Sequence, residues 1–206
     1  AEVDLMAACE AGEVCVLGDG NLPEKADATR EVRADVLRYL IIGGCRDCPV
    51  ADWGVRVMGA YVSGDLDLSH ASAKGMTFLL DCRFQQPVEM TQTGFEFLNL
   101  NRSHLIGLNA QGARVTAGVF LRNIKAAATI DLNGAEIGGQ LACTDAQLSA
   151  TEGKALNAQG AQVTAGVFLG NLNAAASIAL NGAEVGGQLD CTNAQLSATE
   201  GDALNA

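Results

Sequence analysis

The segment from Leu108 to Ala155 recurs as Leu156 to Ala203 with ten differences, and a third copy opens at Leu204-Asn205-Ala206. Near-identity at a fixed period restricts the chain to architectures in which one unit stacks on the next, because a single unit cannot bury its own apolar face. The differences sort by chemistry. Arg114/Gln162, Arg122/Gly170, Lys125/Asn173, Asp131/Ala179, Ala142/Asp190, Asp145/Asn193 and Lys154/Asp202 change charge or polarity, whereas Ile124/Leu172, Thr129/Ser177 and Ile137/Val185 are near-isosteric. Positions that exchange charge freely face solvent, and those that exchange one apolar group for another face inward.

A finer period runs inside the unit. Apolar pairs fall at Val119-x-Leu121, Ile130-x-Leu132 and Leu141-x-Cys143, with half-steps at Ala135-x-Ile137 and Ala146-x-Leu148. Upstream the step is five: Met90, Phe95, Leu100, Leu105, Ala110 and Val115, each preceded two residues earlier by Val88, Thr93, Leu98, Ser103, Leu108 or Ala113. A helix wants apolar residues three and four apart, and an ordinary strand alternates for longer before turning. A five-residue step fits a square coil, each side one short strand and each corner a turn. Four sides make about 22 residues per coil. The repeat unit is then two coils, the second lengthened by about four residues around Ser149 to Gly153.

The runs Cys82-Arg83-Phe84 and Thr93-Gly94-Phe95, with Leu or Phe at the centre and a small or aliphatic residue two before it, resemble the pentapeptide-repeat family. The runs Leu108 to Gly112 and Gly134 to Cys143 resemble long bacterial repeat proteins of unknown function built on Leu-Asn-Ala-x-Gly and Gly-Ala-x-Ile-Gly-Gly-Gln-Leu-x-Cys units. The resemblance implies an all-β fold, a right-handed parallel quadrilateral β-helix. It covers residues 55–206, starting at Gly59 to Leu66, which aligns with Gly134 to Leu141; residues 1–54 are left as a helical N-terminal cap and linker. Six to seven coils at about 4.8 Å per layer make a rod roughly 30 Å tall.

The cap is expected to hold a helix over 26–42, stopped by Gly43-Gly44, and a shorter one from Glu2 to Glu10. Val32, Val36, Tyr39 and Leu40 share one helical face and are the candidate partner-binding residues, although covering the first coil accounts for the same face. No cap follows Ala206, which leads to the expectation of a longer array, or of stacking on another copy through a solenoid end.

Only 4% of residues are aromatic, which suits a narrow interior of Ala, Val, Leu and Cys. The net charge is −11, and residues 1–54 carry eleven carboxylates against five bases. That balance argues against direct nucleic-acid binding. No apolar run reaches membrane-span length, and a cytoplasmic protein with reduced thiols is the expectation.

The features able to carry chemistry are few. Cys45-Arg46-Asp47-Cys48 has the spacing of a redox pair or half a zinc site, with Cys9 and Cys15 as further thiols, but no second CxxC and no nearby His completes it. Cys143 and Cys191 are equivalent positions two layers apart, about 10 Å, too far for a disulfide. His70 and His104 fall between inward positions and lack a mate at ligand or triad spacing. The pairs Gly138-Gly139 and Gly186-Gly187 read as corners needing unusual backbone angles, and Asn109, Asn157, Asn205, Asn133 and Asn181 as amide ladders. No cofactor is expected. The leading function is a non-catalytic structural or protein-interaction rod. An acidic DNA mimic acting on a topoisomerase is an alternative that resemblance suggests. An enzyme is a third, weakened because Glu136/Glu184 and Glu152/Glu200 are the acids retained between copies and each sits alone.

Overall fold

The computed structural model describes residues 1–198 and 202–205. Glu200 and Ala206, which figure in the sequence reading, lie outside the described residues. Short parallel strands stack into four sheets, one for each side of a coil. Following the chain through one coil, the first side holds Phe97–Asn99, the second His104–Leu105, the third Leu108–Asn109 and the fourth Gly94–Phe95 or its successor Arg114–Val115. The first and second sheets are eight strands deep, the third six and the fourth five.

Register gives the coil lengths. Thr77 pairs with Leu98 and Leu98 with Val119, an advance of twenty-one positions at each layer. Val119 pairs with Leu141, an advance of twenty-two; Leu141 with Val167, an advance of twenty-six; and Val167 with Leu189, again twenty-two. The repeat unit is therefore one shorter coil and one longer. The extra residues sit between Gln147–Leu148 and Lys154–Asn157, where the register shifts between Lys154 and Leu156.

The five-residue step describes the interior. Val88, Met90, Thr93, Phe95, Leu98, Leu100, Ser103, Leu105, Leu108, Ala110, Ala113 and Val115 are all buried. An eleven-residue step marks most corners. His70, Asp81, Gln92, Arg102, Gly112, Asn123, Gly134, Asp145, Gly160, Asn171, Gly182 and Asn193 all take positive φ, with the step shortened to ten on either side of Arg102 and lengthened to fifteen between Asp145 and Gly160. Asn, Asp and Gly hold most of these positions because they tolerate the left-handed region. The Gly138-Gly139 pair has a different cause from the one its sequence suggests. Neither residue has positive φ; a Cβ on either would run into the carbonyl oxygens of Thr116 and Ala117 in the layer beneath.

The N-terminal region departs from expectation. The first helix, α1, spans Glu2–Ala11 and ends on Gly12 in the left-handed region. The second, α2, spans only Ala34–Ile41, because Glu31–Arg33 is a strand that pairs with Tyr61, Val62 and Ser63. The alternation around Val32, with buried Val32 between more exposed Glu31 and Arg33, follows a period of two, and sheet pairing overrides the helical reading. Cys15–Val16 likewise pairs with Val57 and Met58. The stacked sheets thus begin well upstream of Val55, in a long first coil that carries the chain from Cys15 round to Val57.

In that coil α2 stands where the third and fourth sides would run. Arg38 Nε donates to the Asp67 carbonyl at 2.7 Å, and the Lys74 N–H donates to the Ile41 carbonyl at 2.8 Å. Both bonds satisfy backbone groups at the otherwise open edge of the next coil. Glu2 fixes α1 to the same layer through Arg33, with Nε and Nη2 each 2.9 Å from the carboxylate. No helix among the described residues is long and apolar enough to cross a membrane.

Candidate functional site

Because every side is in register, each presents outward columns of side chains. On the third side Asp67, Glu89, Asn109, Asp131, Asn157, Ala179 and Asn205 follow one another layer by layer. The ladder expected of asparagines is mixed: Asn109 Nδ2 donates to Glu89 (2.8 Å) and Asn157 Nδ2 to Asp131 (3.0 Å), amide alternating with carboxylate. Asn181 donates to Asn205 of that column at 2.5 Å, whereas Asn133 joins through its backbone N–H to Asp131. On the fourth side Arg114 pairs with Glu136 at 3.3 Å.

The second side carries the opposite charge. Arg83, His104 and Lys125 occupy consecutive layers of one column, preceded by Tyr61 and followed by Gln147. None of the three belongs to an ion pair among the described residues. Burial, with the Arg83 and Lys125 charges added, holds the His104 pKa below the ordinary imidazole value. Arg83 Nε donates to the Pro23 carbonyl at 2.6 Å, so the loop before the second strand closes one end of the column. Tyr61, Arg83, His104 and Lys125 line a groove of about 470 Å³.

The first side is apolar. Met58, Phe78, Leu80, Phe97, Phe120 and Phe168 point outward and are half-buried against one another. Phe97 stacks on Phe120 with centroids 4.8 Å apart and 15° between planes, and tilts against Phe78 at 5.1 Å. Of six phenylalanines in the chain, four lie in this strip, in a protein poor in aromatics.

The residues singled out from sequence do not converge. Val32 and Leu40 are fully buried, Val36 is half-buried, and Tyr39 alone of the four is exposed, at 39%. Val36 and Leu40 line the underside of α2, Val32 points inward from a strand and Tyr39 faces out, so the four share no free face. Cys45 and Cys48 stand opposite each other across a two-stranded antiparallel hairpin, Gly44–Cys45 with Cys48–Pro49. The Tyr39 hydroxyl, then the backbone N–H groups of Asp47 and Cys48, favour the exposed Cys45 thiolate and hold its pKa below the usual thiol value. The same thiol pushes Tyr39 up to about 12. Cys9 and Cys15 are buried, and burial pushes each up to about 11. No three His, Cys, Asp or Glu side chains among the described residues come together as metal ligands. Cys143 is buried and Cys191 half-buried. His70 lies exposed at a left-handed corner, and His104 belongs to the basic column.

Set beside known proteins, the chain matches no family model, no curated protein and no solved structure.

Proposed function

We propose that this protein is a non-catalytic interaction rod whose apolar first side pairs with the same side of a second copy. The order of residues along that side supports the reading. One outward column runs Arg56, Phe78, Asn99, Phe120, Ala142, Phe168 and Asp190 from layer to layer. A two-fold axis through Phe120 sets two such columns antiparallel, so that Phe120 meets Phe120 and Phe78 meets Phe168, while Arg56, whose guanidinium is held by the Gly12 carbonyl and lies over Trp53, comes to the end where Asp190 stands. An isologous contact needs this self-complementarity.

Seven layers at about 4.8 Å, each contributing three residues at about 3.3 Å, give a footprint of roughly 300 Å² per copy. A standard interface buries about 800 Å² per partner, so the association is weak and concentration-dependent. Sedimentation equilibrium over a wide concentration range tests it: monomer–dimer exchange is expected, abolished by Phe120→Glu and weakened by Asp190→Arg. In a Cys45→Ser, Cys48→Ser background, Phe120→Cys should give a covalent dimer on mild oxidation and Gln147→Cys on the second side should not. A monomer at every concentration, or equal crosslinking from both sides, refutes the reading.

A further inference from the structure

The second side carries a column of bases with no acid among them. Arg83 and Lys125 flank His104 on adjacent strands, two permanent like charges about 10 Å apart with no counter-charge between them. In a chain of net charge −11, acids were available to alternate with them, as Glu136 alternates with Arg114 on the fourth side and Asp81 pairs with Arg102 at a corner. The carboxylate lining the groove is Glu24 at its rim, exposed and in no ion pair among the described residues. Arg83 spends its Nε on the Pro23 carbonyl, which orients the guanidinium and leaves its terminal nitrogens for the groove.

The walls limit what fits. Tyr61 is half-buried at one end and Ile106 is 41% exposed along one edge, beside Ala127. The groove is shallow and open to solvent, so the placement of its charges rather than enclosure selects a ligand there. We infer that this groove binds an organic phosphate monoester, its dianion held by Arg83 and Lys125 with His104 between them, and its apolar body against Tyr61 and Ile106. Two permanent cations match a dianion in charge, and Arg supplies a fork of donors suited to phosphate oxygens while Lys adds a point charge.

The inference is independent of pairing through the first side and is tested on the whole chain with phenyl phosphate as probe. The His104 ring resonances are followed by NMR across pH with and without the probe. The groups facing His104 are Arg83, Lys125 and, at the rim, Glu24; a dianion added among them must stabilise the imidazolium. The midpoint of the His104 titration should rise on saturation, and binding should weaken at least tenfold in Lys125→Gln and with added salt. Arg83→Gln should act likewise; because it also frees the Pro23 loop, Lys125→Gln is the deciding variant. Arg114→Gln on the fourth side should bind as the parent does. Inorganic phosphate should bind more weakly than phenyl phosphate for want of the apolar body, and benzoate more weakly for want of the second charge. No saturable shift of His104, undiminished binding in Lys125→Gln, or equal binding of benzoate overturns the assignment.

Discussion

Two buried hydroxyls make opposite predictions from the same chemistry. Ser103 is fully buried, and its Oγ donates to the Leu79 carbonyl at 2.8 Å while accepting the Cys82 N–H at 3.0 Å. It bridges two backbone groups of the layer below. Thr77 is equally buried on the first side, but its hydroxyl has no partner among the described residues. A buried polar group left unpaired costs about 1–3 kcal/mol. Thr77→Val keeps the shape, removes the orphan and adds a better strand former, so it should stabilise by about 1–2 kcal/mol. Ser103→Ala leaves a carbonyl and an N–H stranded together and should destabilise by about 1–3 kcal/mol. With a urea m-value of about 2 kcal/mol/M, the midpoints should move apart, up by roughly 0.5–1 M for Thr77→Val and down by roughly 0.5–1.5 M for Ser103→Ala. The comparison holds only if both variants keep the parent slope, since stacked coils can lose cooperativity. A lowered midpoint in Thr77→Val, or an unchanged one in Ser103→Ala, would refute the accounting of buried hydrogen bonds on which it rests.

Gly139→Ala forces a Cβ into the Ala117 carbonyl of the layer beneath, whereas Gly134→Ala meets open space and bears only its positive φ. Thermal melts should therefore show a drop of about 1–2 kcal/mol for Gly134→Ala and a clearly larger one for Gly139→Ala; equal losses would contradict the close approach. Iodoacetamide followed by mass spectrometry should label Cys45 first in the native protein, with its rate reaching half-maximum below the pH of an ordinary thiol, while Cys82 and Cys143, both buried and pushed up to about 12, stay unlabelled until unfolding. Arg33 lowers the Glu2 pKa in the folded state, so the stability that this pair lends α1 is present above the ordinary glutamate value and lost as pH falls through the folded one. Glu2→Gln should flatten the acid limb of stability against pH, and an unchanged limb would show that the pair does not secure the cap. The effect is small, because Arg33 is largely exposed.

Periodicity makes the interior legible. The inward pairs from Val88 to Val115 repeat without interruption, and burial follows them residue for residue. The first coil carries the same signal, since Cys15 and Leu17, and then Val32 and Ala34, are buried pairs of the same kind. Its long path from Cys15 to Val57 puts those pairs out of phase with the later steps, so a helical pattern claims Val32 although the residue stands in a strand. The basic column is spelled out too: Arg83, His104 and Lys125 follow one another at equal spacing, the advance of the coils that carry them. That spacing carries no meaning until the register fixes the length of those coils. A single insertion in either would move one member to the neighbouring position and break the column. The Cys45–Cys48 hairpin is visible as a spacing, but its Tyr39 neighbour depends on the extent of α2, which the helical pattern stops correctly at Gly43 and starts too early.

Copying a two-coil unit reproduces shape and leaves chemistry to be written by single substitutions. Phe120 and Phe168 are the same position in the two copies, so duplication extended the apolar strip of the first side by a ready-made element. Lys125 and Asn173 are also one position, and there the copies differ: the column that is cationic from Arg83 to Lys125 continues as Gln147, Asn173 and Gln195. The cationic column therefore ends at Lys125, followed by neutral Gln147 in the same unit, and the second unit does not renew it because Asn173 stands where Lys125 does. Asn173→Lys would place a positive charge in the same column three layers above His104, the centre of the basic cluster, and so about 14 Å from it. If the groove owes its binding to the convergence of Arg83, His104 and Lys125, this added base should leave phenyl phosphate affinity nearly unchanged; if affinity instead follows the total charge of the side, it should rise. Isothermal titration of Asn173→Lys beside Lys125→Gln separates a built site from a diffuse positive surface.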